Sequence, residues 1–192
     1  YDQGLVTTDE PFMELRNQGI ILGENGEKMS KSRGNVINPD DIIAEYGADA
    51  MRMYEMFMGP LDVMKPWNTS GLAGISKFLN RVWKLYTQFE IVDDEAPKEI
   101  LKLTHKTIKK VGEDIETINS FNTAISQMMI LSNELNKLDQ QYRRVLEVFA
   151  KLLAPYAPHF AEELWEMLGQ GPSIAYAEWP EYIPELTVDD SY

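Results

Sequence analysis

Cysteine is absent from the 192 residues, and histidine occurs only at His105 and His159. Disulfides and thiolate metal sites are thereby excluded, and no histidine-based metal centre is expected. Long hydrophobic runs are missing too. No segment approaches the roughly 20 apolar residues that span a bilayer, and no signal-peptide pattern opens the chain. No membrane partner is expected, and the thiol-free composition fits a reducing cytoplasm. Positive charge is scarce: 18 Lys and Arg stand against 31 Asp and Glu, a net charge of −13. Indiscriminate phosphate binding is disfavoured, so any nucleic-acid contact must be local. The deficit is uneven, with 9 basic and 13 acidic residues in 1–92 but 9 and 18 in 93–192. A hydrophobic fraction of 44%, with 10% aromatic residues, is enough for a packed core. The chain opens on Tyr1 rather than Met, which reads as a piece of a longer protein.

Against this acidic background one cluster of cations stands out. Lys28-Met29-Ser30-Lys31-Ser32 is followed by Arg33 and bracketed by Asn25-Gly26 and Gly34-Asn35. Flexible ammonium groups beside small hydroxyl donors suit a polyphosphate whose negative charge grows during reaction. A solvated basic loop is the plain alternative.

Periodicity predicts a mainly helical chain. Thr8 or Asp9 is read as capping a short helix through Phe12 and Leu15 that ends near Gly19. Ile20-Ile21-Leu22 reads as a buried strand, and Asn25-Gly26 as a two-residue hairpin turn delivering the lysines. Asn38-Pro39-Asp40-Asp41 starts a helix that ends at Gly47. Ala48 to Met58 forms the next, stopped by Gly59-Pro60. After Pro66 and Trp67, a helix capped by Asn68, Thr69 or Ser70 runs to about Glu90. Asp93 to Pro97 opens another, with Leu101, Thr104, Ile108, Val111, Ile115 and Ile118 as its packing seam. Asn119-Ser120 opens a third, with Phe121, Ile125, Met128, Leu131 and Leu135 inward. Gln140 to Leu153 is a fourth, and Pro158 to Leu168 a shorter one. From Gly171 an extended acidic tail is expected. The expected fold is mainly α, an antiparallel helical bundle over residues 66–170. A small α/β piece, 1–65, precedes it and the tail, 171–192, follows.

Two basic rows lie on predicted helix faces: Lys77, Arg81 and Lys84, and Lys98, Lys102, Lys106 and Lys109. A solvated face is the default, but these rows are the best candidates for phosphate contacts. Asp40, Asp41, Asp49 and Arg52 are read as capping and surface-pairing residues. Asn35 and Asn38 are loop and cap residues. Of the four tryptophans, which could stack on bases, Trp83 and Trp165 are assigned to the core. His159 belongs to the first turn of its helix rather than to a ligand set.

Lys28 to Arg52 reads K-M-S-K-S-R-G-N-V-I-N-P-D-D-I-I-A-E-Y-G-A-D-A-M-R. It resembles the signature loop of the class I aminoacyl-tRNA synthetases and the helix pair that follows. Four further stretches resemble the bacterial leucyl branch of that class. They are Pro11 to Glu27, M-Y-E-M-F-M-G-P-L from Met53, F-L-N-R-V-W from Phe78 and A-P-H-F-A-E-E-L-W from Ala157. The isoleucyl, valyl and methionyl branches share S-R-G-N-V and Y-G-A-D-A. A non-catalytic helical interaction module is the alternative outside the class.

The resemblance implies leucine activation by ATP with Mg2+, giving leucyl-adenylate and pyrophosphate, followed by transfer to tRNA(Leu). It implies that Lys28, Met29, Ser30, Lys31 and Ser32 form the loop on the ATP phosphates. Lys31 is the foremost contact, Lys28 supports it, and Met29 packs the loop down. The bundle would be of the anticodon-binding type, touching the tRNA body by shape and phosphate. The H-I-G-H element, the editing insertion and most of the leucine pocket would lie upstream, so the piece alone is expected to be inactive.

Overall fold

The computed structural model describes residues 1–117 and 120–188. The elements run β1 (Ile21–Leu22), α1 (Pro39–Tyr46), α2 (Ala48–Phe57), β2 (Lys65–Pro66), α3 (Thr69–Thr87), β3 (Ile91–Val92), α4 (Lys98–Glu116), α5 (Phe121–Leu135), β4 (Gln141–Tyr142), α6 (Arg143–Leu153) and α7 (Pro158–Met167). The expected mainly helical architecture is present. Among the described residues two sheets occur, both parallel pairs of two-residue strands, β1 with β2 and β3 with β4.

The strand pairs organise the helices. β3 follows α3, and β4 follows α5, so their parallel pairing brings the exits of those two helices together at one end of the bundle. α4 and α6 both leave from that end, which gives the up-and-down arrangement. Tyr86 Oη secures it by donating 2.8 Å to the Leu146 carbonyl. Burial raises the Tyr86 pKa well above the ordinary phenol value, so it stays a donor. Phe78, Val82 and Leu85 of α3, Ile125, Met128, Leu131 and Leu135 of α5, and Leu146, Phe149 and Leu152 of α6 fill a fully buried core.

On α4 the inward row is Ile100, Thr104, Thr107, Val111 and Asp114, with Ile108 beside it. Leu101 and Ile115 are only half-buried, and Ile118, like Asn119, lies outside the described residues. Polar side chains occupy this row because their needs are met internally. The Thr107 hydroxyl donates to Leu103 O at 2.8 Å. Asp114 meets Lys110 Nζ and Thr123 Oγ1, both at 2.6 Å.

Several sequence expectations are corrected. Residues 8–19 form no helix, and Phe12 and Leu15 stay more than 80% exposed; with nothing covering its apolar face, so short a helix lacks the packing that would stabilise it. β1 is half-buried rather than buried, and Ile20 is exposed. Gln141 and Tyr142 belong to a strand, so the fourth bundle helix starts at Arg143.

The described part of the tail, residues 171–188, folds back instead of running free; residues 189–192 lie outside the described residues. Short 3-10 turns occur at Ile174–Tyr176 and Pro184–Leu186. Glu162 of α7 accepts from Ser173 Oγ at 2.8 Å and from the Ile174 amide at 3.2 Å. Further on, the Ile183 amide donates 3.1 Å to His105 Nδ1. A backbone N–H only donates, so this ring must be neutral at Nδ1. Burial lowers the His105 pKa below its ordinary 6.5. Just below that pH the unfolded chain binds the proton and the folded one does not. The contribution is therefore present above the unfolded value and lost as pH falls through the lowered one. Acidification below the ordinary imidazole value of 6.5 is expected to loosen the tail. Trp179 emission, measured against a Trp179→Phe control, should shift in the parent and not in His105→Gln; a parent signal independent of pH would refute the latch.

Candidate functional site

The lysine loop is held at its stem, its exit and its root. Its stem is a hairpin in which Gly23 N–H donates to Glu27 O at 2.8 Å and Gly26 N–H donates to Gly23 O at 2.9 Å. Glu24, Asn25 and Gly26 therefore form a three-residue loop with Gly26 at φ 76°, not the expected two-residue turn. Lys28 pairs across the stem with Leu22. Glu24 ties this hairpin to the start of α3, accepting from Thr69 Oγ1 at 2.7 Å.

Beyond the stem, Ser30 is extended and Lys31–Arg33 form one 3-10 turn, closed by Gly34 at φ 67°. That left-handed closure is strained for any side chain. Asn35 then reaches back across the loop. Its Oδ1 accepts from the Ser30 amide at 2.9 Å, and its Nδ2 donates to the Lys28 carbonyl at 3.3 Å. The asparagine amide supplies both a donor and an acceptor, which an aspartate could not do. Sequence reading placed Asn35 in the loop but not in this bridging role. The only signal was an amide residue directly after the closing glycine.

The side chains on this frame divide by role. Met29 is half-buried against the hydrophobic core. Ser30 and Ser32 share a hydrogen bond of 2.8 Å at the tip. Arg33 is paired with Glu27 at 3.2 Å, both more than half exposed, so the pair is weak. Lys28 and Lys31 are exposed, and among the described residues neither ammonium group has a carboxylate partner. Two uncommitted cations stand at a loop whose backbone is pinned at both ends. That arrangement can take up a polyanion without first breaking an ion pair.

The root of the loop follows the sequence closely. Asn38 Oδ1 accepts from the Asp40 amide at 3.2 Å, Pro39 is the first residue of α1, and Asp40 and Asp41 sit in its first turn. Trp67 lies where stem and bundle meet and is 3% exposed. Its amide donates to Leu22 O at 2.9 Å, its indole N–H to Thr69 Oγ1 at 3.2 Å, and its ring meets Tyr54 edge-on at 5.1 Å. It is a structural joint, closed to bases. Trp165 is buried as expected, Trp83 half-buried and Trp179 exposed.

The two basic rows differ. Lys77, Arg81 and Lys84 on α3 are all exposed; among the described residues none of the three carries an ion pair. On α4, Lys98 is exposed, but Lys102 and Lys106 are engaged with neighbours and border a shallow cleft with Glu99 and Glu134. Lys109 lies 5.8 Å over the Tyr182 ring. The α3 row is the more open cationic face. Among the described residues there is no cluster of three or more potential His, Asp or Glu metal ligands, and no helix long and apolar enough to cross a membrane.

Comparison with known proteins agrees with this geometry. Residues 4–64 match the family model described as tRNA synthetases class I (I, L, M and V), and residues 97–192 match the anticodon-binding domain of tRNA ligase. The leucine–tRNA ligase of Chloroherpeton thalassium is 55% identical over 99% of this chain and 24% of its own length. That of Chlorobaculum tepidum has the same identity and the same coverage. The crystal structure of the ternary complex of Agrobacterium radiobacter K84 agnB2 LeuRS, tRNA and LeuAMS superposes with a TM-score of 0.80 at 35% identity, covering 97% of this chain and 27% of that one. The chain thus spans about a quarter of the length of the relatives it matches. It belongs to the tRNA ligases that carry this anticodon-binding domain, and its residues 4–64 match the class I tRNA synthetases.

Proposed function

We propose that this chain is the part of a cytoplasmic leucine–tRNA ligase that stabilises the departing pyrophosphate and holds the body of tRNA(Leu). In the reaction the leucine carboxylate attacks the α-phosphorus of ATP, which is bound with Mg2+ as substrate, and negative charge builds on the leaving pyrophosphate. Lys31 neutralises that charge and Lys28 supports it, with Ser30 and Ser32 as neutral donors. A cation on such a loop lowers the barrier because it meets the phosphates better in the transition state than in ground-state ATP. The single observation that carries this reading is the pair of exposed, unpaired ammonium groups on a pinned loop, in a chain whose net charge is −13.

Residues 1–65 serve as the end of the catalytic region, 66–170 as the tRNA-binding bundle, and 171–192 as an acidic strap. The bundle contacts tRNA by phosphate and shape, foremost through Lys77, Arg81 and Lys84. The row Lys98, Lys102, Lys106 and Lys109 is a secondary candidate, since its neighbours already draw on three of its charges. The test is the salt dependence of tRNA binding to the full-length protein. Replacing Lys77, Arg81 and Lys84 together by glutamine is expected to flatten the slope of log affinity against log salt by about 2–3, at roughly 0.7–0.9 per phosphate contact. An unchanged slope would remove the α3 face from the tRNA interface.

A further inference from the structure

A polar joint connects the root of the loop to the bundle. α2 sends two side chains, about one helical turn apart, onto the corner where α6 ends and α7 begins. Asp49 Oδ2 accepts from the Phe160 amide at 2.6 Å, and its Oδ1 lies 2.9 Å from His159 Nδ1. Arg52 Nη2 donates to the Pro155 carbonyl at 3.4 Å. α7 has no side-chain cap of its own, because Ala157 holds the capping position. Asp49, 111 residues from the amide it accepts, takes that place. Its side chain is 11% exposed, so the bond to the amide is shielded from water. The signs fit the helices: the anion meets the amide-rich start of α7, and the cation meets a carbonyl just past the end of α6. Reading these two residues as capping and surface-pairing groups does not reveal this partner, because the contact joins segments more than 100 residues apart.

The position of this joint gives it a role. The loop leaves Gly34, passes Ile37 and enters α1 directly, and Gly47 alone separates α1 from α2. Ile42 is the one buried residue of α1, so that short helix is weakly anchored by itself. A shift of α2 on the bundle would move the root of the lysine loop. We infer that Asp49 and Arg52 are positioning residues for the activation step. They fasten α2 to the α6–α7 corner, so that the bundle sets where Lys31 stands. This rests on the reading of the loop as the phosphate-binding element.

The experiment uses the full-length ligase with Asp49→Ala and Asp49→Asn, and measures single-turnover leucyl-adenylate formation, the leucine KM and amide exchange. Asp49→Ala is expected to slow adenylate formation about tenfold while the leucine KM stays within about twofold, since a misplaced catalytic group acts on rate. Exchange should rise in residues 28–37 as well as in α7. An asparagine side chain keeps an acceptor for the Phe160 amide, so Asp49→Asn should restore the rate to within about threefold of the parent. A rise in exchange confined to α7, with the rate within about twofold of the parent, would overturn the inference and leave Asp49 a local cap. Arg52→Ala, at an exposed position, provides the same readouts should Asp49→Ala not fold. It too should slow adenylate formation and raise exchange in 28–37, and an unchanged rate there overturns the proposal. Lys31→Ala separates the two ideas. If it slows activation while Asp49→Ala does not, only the joint fails; if Lys31→Ala is itself without effect, the loop reading fails.

Discussion

Lys31→Ala in the full-length ligase is expected to slow leucyl-adenylate formation about 30–1000-fold, equivalent to about 2–4 kcal/mol of transition-state stabilisation. Several features put the effect on rate. The side chain is exposed and unpaired at rest, so no folded-state contact is lost with it. The backbone around it is held by Asn35 and closed by Gly34, so the variant keeps the loop's shape. What disappears is a charge-assisted contact formed as the leaving group becomes more negative. Lys28→Ala should cost less, because Lys28 sits at the paired stem and Lys31 at the start of the tip. Leucine binding is expected to change little in either variant. Stopped-flow or ATP–pyrophosphate exchange kinetics check this; a Lys31→Ala rate within about twofold of the parent would contradict the assigned role.

The second large effect is on folding. Trp67→Ala is expected to destabilise the protein by about 3–5 kcal/mol, as for other buried aromatic truncations. The indole fills the joint between β1, α2 and α3, and its removal exposes one face of Tyr54 and strands the Thr69 hydroxyl contact. Burial also raises the Tyr54 pKa, and its hydroxyl accepts from the Asn68 amide at 3.0 Å, so the joint couples ring packing to the cap of α3. The loss should appear as a lower urea midpoint at an unchanged slope. Were Trp67 a base-stacking residue, its removal would instead weaken tRNA binding and leave the midpoint in place.

What could be read from the sequence was mostly local. Asn38, Pro39, Asp40 and Asp41 gather cap, fixed φ and helix-start carboxylates in four consecutive positions, and α1 begins there. Pro158 and Gly169 bracket α7 in the same way. The inward face of α5 follows its apolar spacing, apart from a half-buried Phe121. Apart from the length of the Glu24–Gly26 turn, the misses are mostly non-local. Ile21 pairs with Lys65 and Ile91 with Gln141, and strands of two residues carry no periodicity of their own. Thr107 and Asp114 turn inward because partners on other turns satisfy them, which no hydropathy pattern reveals. The tail reads as linker by its prolines and acids, yet Ile174 is buried and Ile183 bonds to His105. At the site the lysines were evident, whereas the asparagine that pins them and the carboxylate that bolts α2 to α7 were not.

The central claim is that Lys31 acts on the leaving pyrophosphate and not on the later transfer to tRNA. The most direct measurement starts from preformed leucyl-adenylate on Lys31→Ala and follows two single-turnover reactions, pyrophosphorolysis and acyl transfer to tRNA(Leu). Pyrophosphorolysis passes through the same transition state as activation, so it should slow together with it, whereas transfer should stay within about twofold of the parent. Equal slowing of both reactions, or slowing of transfer alone, would contradict the account.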